Sequence, residues 1–448
     1  MTNPLSKDFN YKSLLMFALP TAVMMVVVSL YTVVDGIFIA RYVGSNALAS
    51  INIVSPFYSA ILAIGVMLGT GGSAIIAKRM GEGIIEKARK NFSMIVLTGF
   101  LAGVVISVVS LIFLDPLIYL LGSSDMLFGY CKDYLQILLL FMPAFILQVM
   151  FQTLFVTAGK PKLGLTLIVG AGVLNVLFDY IFIAVMELGV AGAALGTSIG
   201  FMLPAVVGVG YFLTKRNNLH FTKPDGDWHT LGKTCTNGSS EMVTNLANGI
   251  MVFLFNYQMM KYVGEDGVAA ITTVLYAQFI FTAIYFGFST GVAPILSYNY
   301  GSGNKERLRK VFKMSATVIV ALSVIAFVLA VVLAPTITNI FLPEGSPAYE
   351  LAISGLYIYA TGFLFCGVNI YASAFFTALS NGKVSAFISL MRTFVFISVA
   401  VLVLPIYMGL DGVWIAVPLA EFLTIWISVY LIRSSGYTKK CEVQTVSG

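Results

Sequence analysis

The sequence predicts an all-α membrane protein, with twelve transmembrane helices in two six-helix bundles related by an internal repeat. Three observations carry that expectation. First, 58% of the residues are hydrophobic and only 10% charged, against about 25% charged in an average soluble domain. A soluble chain of 448 residues could not hide so much apolar surface, so lipid must be its main solvent. Second, windows of 18 or more apolar residues recur along the whole length, each able to cross ~30 Å of hydrocarbon. Third, the chain repeats itself at a distance of 220 residues. Tyr42-Val43-Gly44 returns as Tyr262-Val263-Gly264, and residues 64–90 run in step with 284–310. Thr70/Thr290, Gly71/Gly291, Gly81/Gly301, Gly83/Gly303, Glu86/Glu306, Arg89/Arg309 and Lys90/Lys310 are identical pairs.

In the first half the windows fall at 14–40, 50–77, 92–114, 132–158, 163–186 and 189–214. In the second they fall at 238–260, 268–298, 312–334, 352–379, 384–408 and 411–432. The first is no cleavable signal peptide: it is too long, contains Asp35, and no small-x-small site closes it. After the second window of each half comes G-x-G and then a short charged helix, where Glu86/Lys90 and Glu306/Lys310 are spaced for i,i+4 pairs. Pro20, Pro56, Pro143, Pro204, Pro294 and Pro418 fall inside spans, which lipid tolerates because neighbouring helices satisfy the freed carbonyls; they permit kinks. Residues 215–233 are the one long polar stretch and separate an N-terminal bundle, 1–214, from a C-terminal bundle, 234–448. Six spans is an even number, so both halves enter the membrane in the same direction and form a parallel repeat about the membrane normal. A doubled membrane unit around a central cleft is the usual build of a secondary transporter.

The net charge of +6 is not spread evenly. Every Lys and Arg except Arg41, Lys132, Lys261 and Arg392 lies on the side that holds the N-terminus. The positive-inside rule then puts both termini in the cytoplasm, facing anionic inner-leaflet lipid rather than nucleic acid. Cys131, Cys235, Cys366 and Cys441 are scattered with no C-x-x-C pair, so neither a disulfide framework nor a zinc site is expected. His220 and His229 read as solvated linker residues. No cofactor is called for, and no enzyme motif is present: neither clustered magnesium-binding acids nor His-rich motifs occur.

The chemistry is expected where charge enters the spans. Asp35 lies near the outer end of span one and Asp179 in the outer half of span five, with Asn175 one turn earlier on the same helical face. An ionised carboxylate at membrane depth costs roughly 2.5–3.5 kcal/mol on insertion scales, so such a group must face protein or a wet cavity. At the repeat distance Asp35 meets Phe255 and Asp179 falls near Val399; only the first half carries acid at these places. Two acids of this kind suit a proton or a small cation. Arg392 and Glu421 fall at similar depth in spans eleven and twelve, as a structural ion pair or as part of a ligand site. Glu241 opens span seven, either as a helix N-terminal acid or as the start of a polar stripe with Asn245, Asn248 and Asn256. Gln148 and Gln152 form an i,i+4 amide pair expected to line the cleft. Aromatic residues, 13% of the chain, and 19 Met suit flat lipophilic cations.

Asp35-Gly36 ending span one, the Ala47-Leu48-Ala49 block, the G-x-G-basic loop, Asn175-x-x-x-Asp179 and the run 189–197 (GVAGAALGT) resemble the multidrug and toxic compound extrusion (MATE) family over essentially the whole chain. The Ser239-Ser240-Glu241 opening of span seven is most similar to its bacterial multidrug-efflux branch, which includes a staphylococcal pump. The resemblance implies two bundles facing each other across a V-shaped cavity, and export of lipophilic cationic compounds against entry of H⁺ or Na⁺ by a monomer in the cell membrane of a bacterium. It also implies a cation site at Asp35, Asn175, Asp179 and Thr197. Many members carry an acid in span ten; residues 352–379 hold none. A flippase for lipid-linked saccharides shares this architecture, but it would need several intramembrane cations, and the twelve spans hold one Arg, Arg392.

Overall fold

The computed structural model describes residues 3–215 and 217–436, and for positions 32–37, 40, 41, 45 and 48 the backbone alone. The first bundle comprises α1 (Tyr11–Tyr42), α2 (Ser45–Gly81), α3 (Ile85–Ile112), α4 (Leu114–Leu120), α5 (Asp125–Leu140), α6 (Met142–Thr157), α7 (Pro161–Asp179) and α8 (Gly189–Leu213). The second comprises α9 (Trp228–Tyr262), α10 (Glu265–Gly301), α11 (Lys305–Val332), α12 (Ala334–Phe341), α13 (Pro347–Ala360), α14 (Phe363–Ala378), α15 (Gly382–Leu390), α16 (Ile397–Met408) and α17 (Leu410–Ser434). Two π-helical segments, Tyr180–Val185 and Met391–Phe396, continue α7 and join α15 to α16. Helices are what lipid demands, because no water is present to satisfy a free backbone amide or carbonyl.

Among the described residues nine helical segments are long and apolar enough to cross a membrane, or eleven if each of two bent pairs counts as one span. The twelfth expected span falls within α9, whose 35 residues carry a polar stripe of Thr, Asn and Ser that lowers its hydropathy below that of the others. The bent pairs are α5 with α6, at 61°, and α13 with α14, at 53°. The first bend falls at Phe141, just before Pro143, which lacks the N–H needed to continue the helix. Gly103 of α3 packs directly on the backbone of Pro143, which holds the bend from outside. The sequence windows place the start of span four at 132 and of span ten at 352; the helices begin at Asp125 and Pro347, because charged residues in their opening turns (Asp125 and Glu350) interrupt the apolar run without ending the helix. Likewise α9 starts at Trp228, ahead of the expected 238. Asp227 caps it, accepting from the Thr230 amide at 3.0 Å and its hydroxyl at 2.7 Å.

On the face that carries the termini, two polar straps cross between the bundles. The segment before α1 seats Leu5 and Phe9 in the core and lays Pro4 on Gly159 of the first bundle. It is gripped by the second bundle, where Arg307 donates to the Ser6 carbonyl at 3.0 Å and Lys310 pairs with Asp8 at 2.8 Å. The segment before α9 is gripped by the first bundle: Arg89 donates to the Asn218 carbonyl at 2.9 Å, the Thr222 amide donates to Ser93 at 2.8 Å, and Lys87 lies 3.7 Å from Asp227. Half-buried His220 sets its Nδ1 against the Asn217 carbonyl within this strap. Glu86 and Lys90 form the expected helical pair at 3.3 Å. Its repeat counterpart does not form, because Lys310 turns to Asp8 instead of Glu306.

The Lys310 hydrogen bond holds the Asp8 carboxyl below its ordinary value of 3.8. A lowered pKa means the pairing is fully present above 3.8 and is lost as the pH falls through the lowered value. Both partners are exposed, so the pair is screened by salt and weak. Asp8→Asn should raise hydrogen exchange across residues 5–10 a few-fold at neutral pH and low salt, and change nothing in high salt. Equal exchange in both chains at low salt would show that the strap is held by packing alone.

Candidate cation site

The face shared by α7 and α8 is set by glycine. Gly192, Gly196 and Gly200 stand four apart on α8; a side chain on the first two would run into Phe182 and Asp179, and one on Gly200 would press on Ala171 and Asn175. This small-x-x-x-small pattern lets two backbones approach closely in lipid. The consequence is a buried polar cluster. Asp179 is 0% exposed and Asn175 4%, one turn apart on the same face of α7. Asn175 Nδ2 donates to Thr197 Oγ1 of α8 at 3.4 Å. Asn175 Oδ1 is buried with no hydrogen-bond partner among the described residues, which is costly for an amide carbonyl unless something fills the place. Asp179 closes α7 where the backbone turns π-helical, a distortion often found at functional positions.

The third helix at this cluster is α1. Tyr31 lies against Gly172 of α7, and position 35 follows one turn along α1, in the same direction as Asn175 and Asp179 along α7. The side chain of Asp35 lies outside the described residues.

The second bundle holds a different arrangement. At the 220-residue distance from Asp35, Asn175, Asp179 and Thr197 stand Phe255, Val395, Val399 and Val417, all apolar. About one turn away, Arg392 Nε donates to Glu421 Oε1 at 2.8 Å, with both side chains almost fully buried. Asn369 Nδ2 donates to Glu421 Oε2 at 2.8 Å, and Ser428 donates to Asn369 Oδ1 at 2.9 Å. The Arg392 guanidinium lies 6.0 Å from the centre of the Phe286 ring. Both partners of the pair are therefore satisfied internally, and the acid at 421 already has its cation. Of the two roles that the sequence leaves open for these residues, the geometry is that of the structural ion pair.

The remaining candidates part company. Glu241 is half-buried on α9, accepts from Ser240, and lies within hydrogen-bonding reach of Thr70 across the bundle boundary. Asn245 folds its amide back onto the Glu241 carbonyl at 2.8 Å, while Asn248 is exposed. Gln148 and Gln152 border a narrow space inside the first bundle with Phe151, Leu167 and Pro204, where α6 packs on α7 and α8. Asn369 and Gly196 are not among the residues that the sequence singles out. Nothing in one sequence flags Asn369, whereas the four-residue spacing of Gly192, Gly196 and Gly200 is a signal that could have found Gly196.

A model of the MatE family matches residues 20–181 and 242–402, once in each bundle. The chain belongs to the MATE family. Among proteins similar to this MATE chain is the multidrug export protein MepA of Staphylococcus saprophyticus, 23% identical and covering 98% of this chain and 97% of its own. MepA of Staphylococcus haemolyticus is 25% identical over 95% of this chain and 93% of its own. Solved structures share the fold: an outward-facing multidrug resistance MATE transporter has a TM-score of 0.90 at 22% identity, covering 98% of both chains. A MATE structure in a bent conformation has 0.87 at 22% identity over 97% of each.

Two expectations follow from this MATE chain's buried polar groups. Gly196→Ala should displace the Asp179 carboxyl without touching its charge, and so weaken cation affinity by about 10–100-fold, the usual effect of disturbing a group that orients a ligand; isothermal titration or ion-dependent fluorescence would read it. Arg392→Leu and Glu421→Leu should each cost about 3–5 kcal/mol of stability, while the double variant regains most of it. Thermal unfolding in detergent decides, and additive losses would mean that the pair is not coupled.

Proposed function

We propose that this protein is a cation-coupled antiporter that exports lipophilic cationic compounds by alternating access. The observation that carries the reading is the buried Asn175–Asp179 pair, with the Asn175 amide oxygen facing no described partner and Thr197 beside it. Oxygens of this kind, completed by Asp35 from α1, suit H⁺ or Na⁺. The second bundle supports the same division of labour, since Arg392 neutralises its buried acid. Glu241 and Asn248 on α9 are the polar groups nearest to a substrate role. The names of the relatives, multidrug export proteins, point to the same class of cargo.

In the cycle we infer, the basic face is cytoplasmic and the protein resides in the cell membrane as a monomer. Opened outward, the first bundle takes up a cation, which rearranges α1, α7 and α8 and weakens drug binding. The loaded carrier turns inward, releases the cation, and takes a lipophilic cation from the cytoplasm or the inner leaflet. Each ligand lowers the other's affinity by the same factor, ~5–150-fold for coupling of typical size. No covalent step and no cofactor are needed. Export of an anionic lipid-linked saccharide fits less well, because the single intramembrane guanidinium is already paired.

Vesicles loaded with a fluorescent cation test the reading. Efflux should follow a pH gradient alone or a Na⁺ gradient alone, and the gradient that works names the coupling ion. Asp35→Asn and Asp179→Asn should each abolish gradient-driven efflux while leaving drug binding measurable. Efflux as fast as wild type in both would remove these carboxyls from the mechanism.

A further inference from the structure

The bundles touch through α1 against α10 and α2 against α9 and α10, and the closest approaches involve glycine and bare backbone. A side chain on Gly81, the last residue of α2, would run into the Tyr298 carbonyl of α10 and come within 2.9 Å of the Ser302 amide nitrogen. A side chain on Gly301, the last residue of α10, would run into the Lys78 carbonyl of α2 and come within 2.9 Å of the Lys78 Cα. These two contacts are the same contact seen twice, since 81 and 301, and 78 and 298, are each 220 apart. Deeper along the seam the pattern recurs. A side chain on Gly71 of α2 would run into the Thr234 carbonyl of α9 and come within 2.8 Å of the Gly238 nitrogen, and one on the counterpart Gly291 of α10 would come within 3.0 Å of the Ala18 Cα of α1. Gly238 in turn packs on the Met67 carbonyl, and Gly287 on Thr21 and Ala22.

All these residues lie in the halves of their helices nearer the basic face. At the opposite ends of α2 and α10 a side chain on the repeat-related Gly44 or Gly264 would meet nothing within 4 Å among the described residues. The two straps cross the same face, but their exposed ion pairs are too weak to hold it shut. Direct backbone contact, with its dispersion and Cα–H···O components, is the stronger bond.

We infer that this two-fold glycine seam is the cytoplasmic gate, held shut in the outward-facing state by backbone contact and opened as a unit. The inference rests on the alternating-access reading above and names the device that enforces it. Since each bundle supplies half of every symmetric contact, parting one crossing of α2 and α10 parts its mate. A methyl group added in the seam is a wedge, and it should favour the state in which the seam is open.

The test reads distance rather than transport, so that its failure is separate from failure of the cation-coupling reading. Lys160→Cys and Lys383→Cys place spin labels on exposed hairpins of the two bundles at the basic face, with the native cysteines replaced by alanine. Gly81→Ala and Gly301→Ala should move most of the population to a longer separation. Gly291→Ala, whose methyl needs Ala18 to yield by only a few tenths of an ångström, should give a smaller shift. Gly249→Ala, helical and with nothing within 4 Å, should give none. Wild-type separations in the folded seam variants would overturn the inference, as would an equal shift in Gly249→Ala. If Gly81→Ala and Gly301→Ala do not fold, the mild Gly291→Ala decides alone: a longer separation upholds the gate and an unchanged one removes it.

Discussion

Where α2 and α10 cross, no side chain separates their backbones. Helices in lipid gain nothing from hiding apolar surface from one another, because acyl chains are as apolar as leucine, so association has to come from close packing and polar contact. Glycine supplies the first, and it does so at two places with different consequences. Between α7 and α8 it brings Asp179, Asn175 and Thr197 together and keeps lipid away from them. Between the bundles it makes a contact that can part cleanly, since flat backbone surfaces interlock less than interdigitated side chains. The same physical device therefore builds a fixed site in one location and a separable boundary in another.

The two bundles share one fold and differ in the electrostatics of their interiors. The first keeps a carboxyl in a dry place beside an amide oxygen that no described residue satisfies. The second has valines and a phenylalanine at the corresponding positions, and its acid is joined to Arg392 and Asn369. A buried ion pair of this kind is weak evidence for added stability but strong evidence that neither partner can leave alone. It leaves the buried acid of the second bundle neutralised within the bundle. In the exchange cycle proposed above, occupancy changes in the first bundle alone.

Much of this is legible in the chain itself. The helical membrane fold, the apolar spans, and the bent fourth span with its Pro143 all follow from which residues lipid tolerates. Other features are harder to read. Gln148 and Gln152 border a space inside the first bundle, which the sequence does not specify, because an i,i+4 spacing says that two side chains share a face and not which way that face is turned. Lys310 is expected on Glu306 and pairs with Asp8, because a helical pair competes with any partner brought from elsewhere in the chain, and the strap before α1 delivers one. The hydropathy window puts the start of α9 too late, since a capping aspartate and a polar first turn carry no hydropathy.

What the sequence determined by itself is what sums along it: the solvent, the number of spans, the repeat, and the positions at which charge enters the membrane. These are local or periodic properties, and each is set by a handful of neighbouring residues. The tertiary structure decided how each helix is rotated about its axis, and therefore that Arg392 meets Glu421, that Gly196 backs onto Asp179, and that Gly81 and Gly301 face each other's carbonyl partners. Rotation is fixed by the packing of every neighbour at once, so no stretch of chain holds that information alone.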